Sequence, residues 1–284
     1  MSIPIIRDME QFEGWALTHQ NEARIYVEGD SWFAYPGTNI ITEIHDDADG
    51  DPIILQRAVS GDEAASMLSG NQRHTMVKEF GHLKQRSNRF RDRGSNARVN
   101  PDFILFSGGG NDMVGMFDFP MLIRKRPVGS DPKKFVRQDR FKNRLEQIKL
   151  SFIELGFIRD EFFKDCPIIT HKYDLPIPSD KGVEFIGIPV IKSWMKPYMD
   201  GIGITNPDDQ KGIAHYLIKA FGDMVDGLQQ SNKIKHFYVI DTHHTLGPND
   251  WQNEIHPTPE GFGWIATMFR NKMKQLRPDL SQRL

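Results

Sequence analysis

The sequence predicts an α/β protein in which helices cover both faces of a mostly parallel sheet of about five strands, a three-layer α/β/α sandwich. Two features of the chain indicate this class. Short apolar runs end at Gly, Ser or Asp, and amphipathic helical patterns separate these runs. Strands that are covered on both faces read as continuous apolar runs, and parallel strands need crossover connections. We therefore expect a ligand site at the carboxyl ends of the strands.

Several short segments have the apolar character of buried strands and are bounded by turn-forming residues. They are residues 24–30, 51–61, 101–110, 166–170 and 236–242. Cys166, the only cysteine, opens the fourth segment. It has no partner for an internal disulfide, so we expect it to be buried and inert.

Helical patterns lie between and after these segments. Apolar residues recur at helical spacing from Phe141 to Leu155 and from Ile213 to Leu228. A last helix is predicted to begin at Thr258–Pro259, because a capping hydroxyl precedes a proline that suits the first turn. Its apolar stripe consists of Phe262, Ile265, Phe269, Met273 and Leu276.

Domain organisation is predicted to be simple. No repeat, low-complexity tract or long linker divides the chain, so we predict one domain over residues 1–284 with a core from 24 to 276. The Pro-containing stretches 115–135 and 171–212 are interpreted as insertions that could form walls of a pocket or a lid.

The charge balance disfavours polyanionic partners. The 36 basic and 38 acidic side chains give a formal net charge of −2 at pH 7, so neither nucleic acid nor an anionic membrane is expected to bind. The basic stretches 73–98 and 123–149 are interpreted as solvated helix faces. The N-terminal sequence does not resemble a secretory leader, and no apolar run approaches the roughly 18 residues of a membrane span. These features predict a cytoplasmic protein with a small neutral or amphiphilic partner.

The stretch YVEGDSW (26–32) places Ser31 directly after a predicted strand end and before a helix. A hydroxyl at a helix N-terminus is well placed to act as a nucleophile, because free backbone amides favour negative charge there. Serine is also a common helix cap. The residue alone does not decide between these two interpretations.

A second strand end, SGGGND (107–112), is rich in glycine and carries Asn111, whose amide could donate to a developing oxyanion. A phosphate-binding loop is the competing interpretation. No Lys-Ser/Thr pair follows the glycines, however, and Met113 occupies the last position of G-x-G-x-x-G. Gly61, at the end of the second predicted strand, could supply another backbone donor.

Near the C-terminus, the stretch 253–262 places His256 between the last predicted strand and the final helix. It would therefore face the same edge of the sheet as Ser31. His243 and His244 are the nearest rivals, but with His256 they show no regular ligand spacing, so no metal site is predicted.

The order of these motifs resembles the SGNH hydrolases, also called the GDSL esterase/lipase family. The matching stretches are GDSW (29–32), SG (60–61), GGND (109–112) and IHPT (255–258), within a pattern that spans residues 24 to 276. The resemblance implies a flavodoxin-like sheet and a serine hydrolase that cleaves small-molecule carboxylic esters through an acyl-enzyme. It implies no cofactor, and it leaves open whether the substrate is an acylated sugar or a lipid.

The resemblance also implies roles for individual residues. Ser31 corresponds to the nucleophile and His256 to the general base. The oxyanion hole would consist of the Ser31 and Gly61 backbone amides and the Asn111 side chain. With an ordinary histidine as base, the rate should rise with pH through a midpoint of about 6 to 7.

The third member of the triad departs from the family pattern. Asn253 stands three residues before the histidine, where the family usually has Asp, with Glu254 beside it and Asp250 nearby. Asparagine can fix the imidazole tautomer but lacks the charge that stabilises imidazolium. The sequence leaves open a Ser-His dyad supported by Asn253, or a triad completed by Glu254 or Asp250.

Two other functions remain open at this point. One is a binding protein with the same fold and little or no catalysis, and the other is a doubly wound nucleotide-binding enzyme. Aromatic residues near the strand ends could line an acyl or sugar pocket, although core packing explains them equally well. They are Trp32, Phe33, Tyr35, Phe117 and Phe119.

Overall fold

The strands of the computed structural model fall into two sheets, and the description covers residues 3–125, 131–185 and 188–284. The strands are β1 (Arg24–Gly29), β2 (Ile53–Gln56), β3 (Phe103–Ser107), β4 (Ile168–His171), β5 (Val183–Phe185), β6 (Ile188–Ile191) and β7 (Phe237–Ile240). Five of them form a parallel sheet in the order β2-β1-β3-β4-β7, and β5 and β6 form an antiparallel hairpin.

The parallel sheet has the flavodoxin-like order, in which β1 lies between β2 and β3 and the strand order reverses at that point. Val27 of β1 pairs with Gln56 of β2 on one side and with Leu105 of β3 on the other. Every residue of β1, β2, β3 and β4 is buried, as expected of strands covered on both faces. The prediction of a three-layer α/β/α sandwich is confirmed.

Helices connect and flank these strands. They are α1 (Met9–Thr18), α2 (Ser31–Ala34), α3 (Ile40–Asp46), α4 (Ala64–Met67), α5 (Gly70–Asp92), α6 (Gly110–Val114), α7 (Phe119–Leu122), α8 (Gln138–Phe163), α9 (Met195–Gly201), α10 (Pro207–Gln230) and α11 (Pro259–Leu276). Short 3-10 helices cover Pro132–Phe135 and Pro278–Arg283. Helices α5, α8 and α10 form one packed group, and α3 and α11 pack against each other.

The predicted apolar stripes form the inner faces of the long helices. In α8, Phe152 is fully buried and packs edge-on against Phe106 of β3. In α11, Thr258 caps the helix by accepting from the Gly261 backbone N–H, and Pro259 occupies the first turn as predicted. A fully buried side chain of this size contributes roughly 1.5–3 kcal/mol, so these stripes fix both helix layers to the sheet.

The second predicted strand is shorter than expected. Only Ile53–Gln56 pairs in the sheet, and the chain then turns through Gly61, whose φ of 91° suits glycine. Cys166 is buried as expected, and burial raises the pKa of its thiol, which keeps it protonated.

The two predicted insertions contain short elements that border the carboxyl edge of the sheet. The first, 115–135, contains α7, and its residues 126–130 lie outside the described residues. The second, 171–212, contains the β5–β6 hairpin and α9 and ends within the first turns of α10; its residues 186–187 lie outside the described residues. In the described part of the chain, no helix has the length and apolar character required to cross a membrane.

Candidate active site

Ser31 and His256 are hydrogen-bonded at the carboxyl edge of the sheet, although 225 positions separate them in sequence. Ser31 Oγ lies 2.7 Å from His256 Nε2. Ser31 follows β1 at the start of α2, and His256 lies in the loop before α11. Both side chains are buried, so the pair is held by the surrounding packing.

The helix cap at this corner is Asp30 rather than Ser31. The Asp30 carboxylate accepts from the Trp32 backbone N–H at 3.0 Å, which satisfies one of the free donors of α2. The Ser31 hydroxyl therefore remains available to His256. Because α2 is only 4 residues long, its dipole adds little to the site.

Asn253 orients the imidazole from the opposite side. Its Oδ1 atom lies 3.0 Å from His256 Nδ1 and also accepts the backbone N–H groups of Ile255 and His256 at 3.1 and 3.0 Å. Two backbone donors on this atom identify it as the amide oxygen. His256 Nδ1 must then carry the proton, which leaves Nε2 as the acceptor for the Ser31 hydroxyl.

Glu254 and Asp250, the two alternative acids, are engaged elsewhere. The Glu254 carboxylate accepts the backbone N–H groups of Trp194, Met195 and Lys196 at 2.8–3.0 Å, at the start of α9. Asp250 accepts the Gly247 N–H at 2.6 Å. The geometry therefore gives Asn253, and neither carboxylate, the third position of the hydrogen-bond chain.

Burial lowers the pKa of His256 to about 3. A carboxylate in contact with the ring would offset this effect, but the contacting group is the neutral amide of Asn253. The histidine is consequently neutral at rest, which is the form that can accept a proton. The Tyr35 ring lies against the imidazole, with 4.3 Å between the ring centroids, and its π face would favour a transient positive charge.

Two further groups of the predicted oxyanion hole lie beside Ser31. Gly61 and Asn111 line the same cavity as Ser31 and His256. Asn111 donates one amide hydrogen to the Asp62 carbonyl at 2.9 Å, and its second amide hydrogen is available for a substrate oxygen. The structure thus brings together all four residues of the predicted nucleophile, base and oxyanion hole.

The glycines of the 107–112 stretch serve close packing. A Cβ atom would lie 2.9 Å from the Phe106 ring at Gly108 and 3.0 Å from the Tyr173 ring at Gly110, and at Gly109 it would clash with the Phe221 ring. These positions are occupied by aromatic side chains, which leaves no open backbone cradle for phosphate. This geometry disfavours the nucleotide-binding interpretation.

A buried polar network that no sequence motif indicated lies directly beneath Ser31. Asp30 accepts from the Ser107 hydroxyl at 2.8 Å and from the Tyr173 hydroxyl at 2.5 Å. Ser107 Oγ also lies 2.9 Å from His171 Nε2. Burial raises the pKa of Asp30 to about 7 and lowers the pKa of His171 to about 3. Their positions in the sequence could have indicated this network, because Asp30, Ser107 and His171 all stand at or just after strand ends.

The aromatic residues near the strand ends divide into two groups. Trp32, Phe33 and Phe119 are core residues, with 0–4% of their surface exposed. Tyr35 and Phe117 line the cavity beside Ser31. In the described ranges, no group of His, Cys, Asp and Glu side chains is arranged to hold a metal ion.

The matches to this chain are among solved structures. No family model matches the sequence, and no curated protein matches it. Among solved structures, a lipase, Lip_vut3, from a goat rumen metagenome aligns over 88% of this chain and 96% of its own, at 14% identity and a TM-score of 0.51. A carbohydrate esterase family 3 protein from Talaromyces cellulolyticus aligns over 90% and 99%, at 13% identity and a TM-score of 0.48.

A further match is a protein described as a GDSL-like lipase from Bacteroides ovatus, with 14% identity and a TM-score of 0.44. The alignment covers 90% of this chain and 54% of that one, so this chain spans about half the length of that protein. The likeness to Lip_vut3 shows a shared fold. It is the same fold that the sequence motifs imply.

Proposed function

We propose that this protein is an SGNH-type serine hydrolase that cleaves carboxylic esters through an acyl-enzyme on Ser31. The observation that carries the proposal is the continuous hydrogen-bond chain from Ser31 through His256 to Asn253, which opens onto a cavity. A nucleophile, a base and a group that orients the base are the parts that acyl transfer requires. The fold shared with a lipase and the family motifs support the same function.

In the acylation step, His256 Nε2 removes the proton from Ser31 Oγ as the oxygen attacks the ester carbonyl. The carbonyl electron pair moves onto oxygen, and this oxyanion accepts hydrogen bonds from the Ser31 and Gly61 amides and from Asn111. His256 then gives its proton to the departing alcohol. Water repeats the sequence on the acyl-enzyme, releases the acid and restores the Ser31 hydroxyl.

Asn253 defines how this enzyme differs from a Ser-His-Asp triad. Its amide oxygen holds the imidazole in the required tautomer, as the carboxylate of a triad does. It supplies no negative charge to the imidazolium that forms during the reaction. We therefore expect a working but slower hydrolase, which uses a Ser-His pair that Asn253 orients.

The same departure favours a second candidate function, a binding protein with weak or no catalysis. A buried imidazole without a carboxylate partner resists protonation, as the low pKa of His256 indicates. Such a protein would bind esters in the cavity without turning them over.

Hydrolysis of para-nitrophenyl esters separates the two functions. Wild type should release nitrophenol with multiple turnovers, and Ser31→Ala and His256→Ala should each lose most of the activity. Ser66→Ala is a matched control because Ser66 is exposed and outside the cavity. Binding of the ester without turnover by folded wild type would favour the binding protein.

A further inference from the structure

The cavity beside Ser31 is largely apolar. Its volume is about 410 Å³, within the range of pockets that enclose small organic ligands. Around the candidate catalytic groups, its wall includes Pro36, Met116, Phe117, Ile191, Trp194 and Ile255. Such a lining matches a hydrocarbon portion of a substrate better than a hydroxyl-rich one.

The apolar surface extends to the rim of the cavity. Phe117 is 79% exposed, Met116 is 41% exposed and Ile191 is 39% exposed. A cluster of exposed large apolar side chains around a cleft is typical of a ligand-binding site, since isolated apolar residues are the norm elsewhere on a surface. A substrate would bury this rim when it binds.

The polar groups of the wall are few and are mostly engaged. The Ser60 hydroxyl donates to the Ala34 carbonyl at 2.7 Å. Asp118 forms an ion pair with Arg144, and Glu63 lies 3.7 Å from the same guanidinium. Sugar hydroxyls each need a hydrogen-bond partner when buried, and this wall offers few that are not already used. This property disfavours an acylated sugar as the substrate.

The wall carries two acidic side chains. Glu63 and Asp118 both line the cavity and share one cation, Arg144. Within the described residues, the wall contains no Lys or Arg side chain. Burial and the neighbouring Asp118 raise the pKa of Glu63 to about 7, so Glu63 carries its full negative charge only above neutrality.

We propose that the substrates of this site are neutral esters with an apolar acyl or alcohol group that lies along Met116, Phe117 and Trp194. Glu63 and Asp118 would repel substrates that carry a negative charge at the end of that group remote from the ester. The inference rests on the proposed function, because it assumes that the ester carbonyl reaches Ser31.

The apolar part is tested with two series of esters. One series lengthens the acyl group of para-nitrophenyl esters from acetyl to octanoyl, and the other lengthens the alcohol of alkyl acetates. In at least one series, kcat/KM should rise by about threefold to fourfold for each methylene that becomes buried. If kcat/KM depends on chain length in the first series, the apolar group lies on the acyl side of the ester. If it depends on chain length in the second series, the apolar group lies on the alcohol side.

Phe117→Ala should weaken the dependence of kcat/KM on chain length in the series that shows it, because the substitution removes the most exposed apolar side chain of the rim. Phe157→Ala is the matched control: Phe157 is 63% exposed on α8 and does not line the cavity. The control should leave the slope unchanged. If the shortest ester of each series is hydrolysed as fast as all longer members of that series, the apolar assignment is wrong while the proposed esterase function stands.

The charge part is tested by comparing para-nitrophenyl hexanoate with the mono-para-nitrophenyl ester of adipic acid, in which a carboxylate replaces the terminal methyl group. At about pH 8.5, above the pKa of Glu63, the neutral ester should be preferred by at least about tenfold. Glu63→Gln should lower this ratio, whereas Glu146→Gln, a control at an exposed residue of α8, should not. An unchanged ratio in Glu63→Gln would overturn the role of Glu63.

The results would differ if the proposed function itself were wrong. In that case no ester of any series is hydrolysed by folded protein, and Ser31→Ala behaves as wild type throughout. Loss of the length dependence alone, with hydrolysis retained, overturns only the substrate class.

Discussion

Asn253 Oδ1 lies 3.0 Å from His256 Nδ1 and is fixed there by two backbone N–H donors of its own loop. The amide therefore occupies the position of a triad carboxylate with correct geometry and without charge. This relationship separates two contributions that an aspartate makes together, orientation of the imidazole and stabilisation of imidazolium. The two can be tested separately in this protein.

Asn253→Asp should add the missing charge with little change in shape. A carboxylate in contact with the ring should raise the pKa of His256 by about 1 to 3 pH units, because an opposite charge favours the protonated form. We expect kcat at neutral pH to rise by about tenfold. The acid limb of the pH–rate profile should move to higher pH, and an unchanged limb would show that Asn253 does not act on His256.

If the proposed function is right, the wild-type protein should remain active at lower pH than an ordinary histidine base allows. The base works only when neutral, so activity is lost as pH falls through the pKa of His256, which burial lowers to about 3. The midpoint of kcat/KM should therefore lie well below the range of about 6 to 7 expected from an unperturbed histidine. A midpoint within that range would contradict the effect of burial.

Acid stability sets the lower end of this measurement. The pKa of His256 is about 3 in the folded protein and about 6.5 in the unfolded chain, so protons bind the unfolded chain more readily. The stability that this difference contributes is complete above about pH 6.5 and is lost as pH falls towards about 3. Circular dichroism at each pH should accompany the kinetics, so that unfolding is not mistaken for protonation of the base.

Tyr173 should position the nucleophile through Asp30. Its hydroxyl donates to the Asp30 carboxylate, next to Ser31, and its ring lies against Gly110, next to Asn111. Tyr173 therefore contacts the residues that precede both Ser31 and Asn111. Tyr173→Phe should lower kcat more than it raises KM and should destabilise the protein by about 1–3 kcal/mol, since a buried acceptor loses its donor. Tyr216→Phe, which removes a hydroxyl bonded to Gln138, should leave kcat unchanged.

Glu254→Gln distinguishes a structural carboxylate from a catalytic one. The Glu254 carboxylate is fully buried and accepts backbone donors at the start of α9. Its replacement should cost about 1.5–3 kcal/mol in the free energy of unfolding, the value of hydrogen bonds to a charged group. The acid limb of the pH–rate profile should not move. A large shift of that limb would restore Glu254 as a candidate acid.

The fold and the main residues of the site could be predicted because strand ends carry their own signals. Apolar runs that end at Gly, Ser or Asp located β1 and β3, and with them Ser31 and Asn111. Thr258 and Pro259 located the start of α11 and so the loop of His256. The single-domain organisation and the cytoplasmic location are still predictions.

The rest depends on contacts between distant parts of the chain. Nothing near Glu254 indicates that it caps a helix about 60 positions away, so its role as an acid stayed open until the loop conformation was known. Tyr173 adopts a left-handed φ of 58°, which sequence does not signal for tyrosine, and this conformation brings its hydroxyl to Asp30. The low pKa of His256 likewise follows from burial that only the folded structure reveals.

Activation of Ser31 by His256 can be tested by mass spectrometry of the folded protein after reaction with a fluorophosphonate ester. This reagent forms a covalent bond with a serine only when a base activates the hydroxyl. We expect a single adduct on the peptide that contains Ser31; it should be absent in Ser31→Ala, and its formation should be strongly slowed in His256→Ala. An unlabelled Ser31 in folded wild type, or equal labelling of the His256→Ala variant, would contradict this activation.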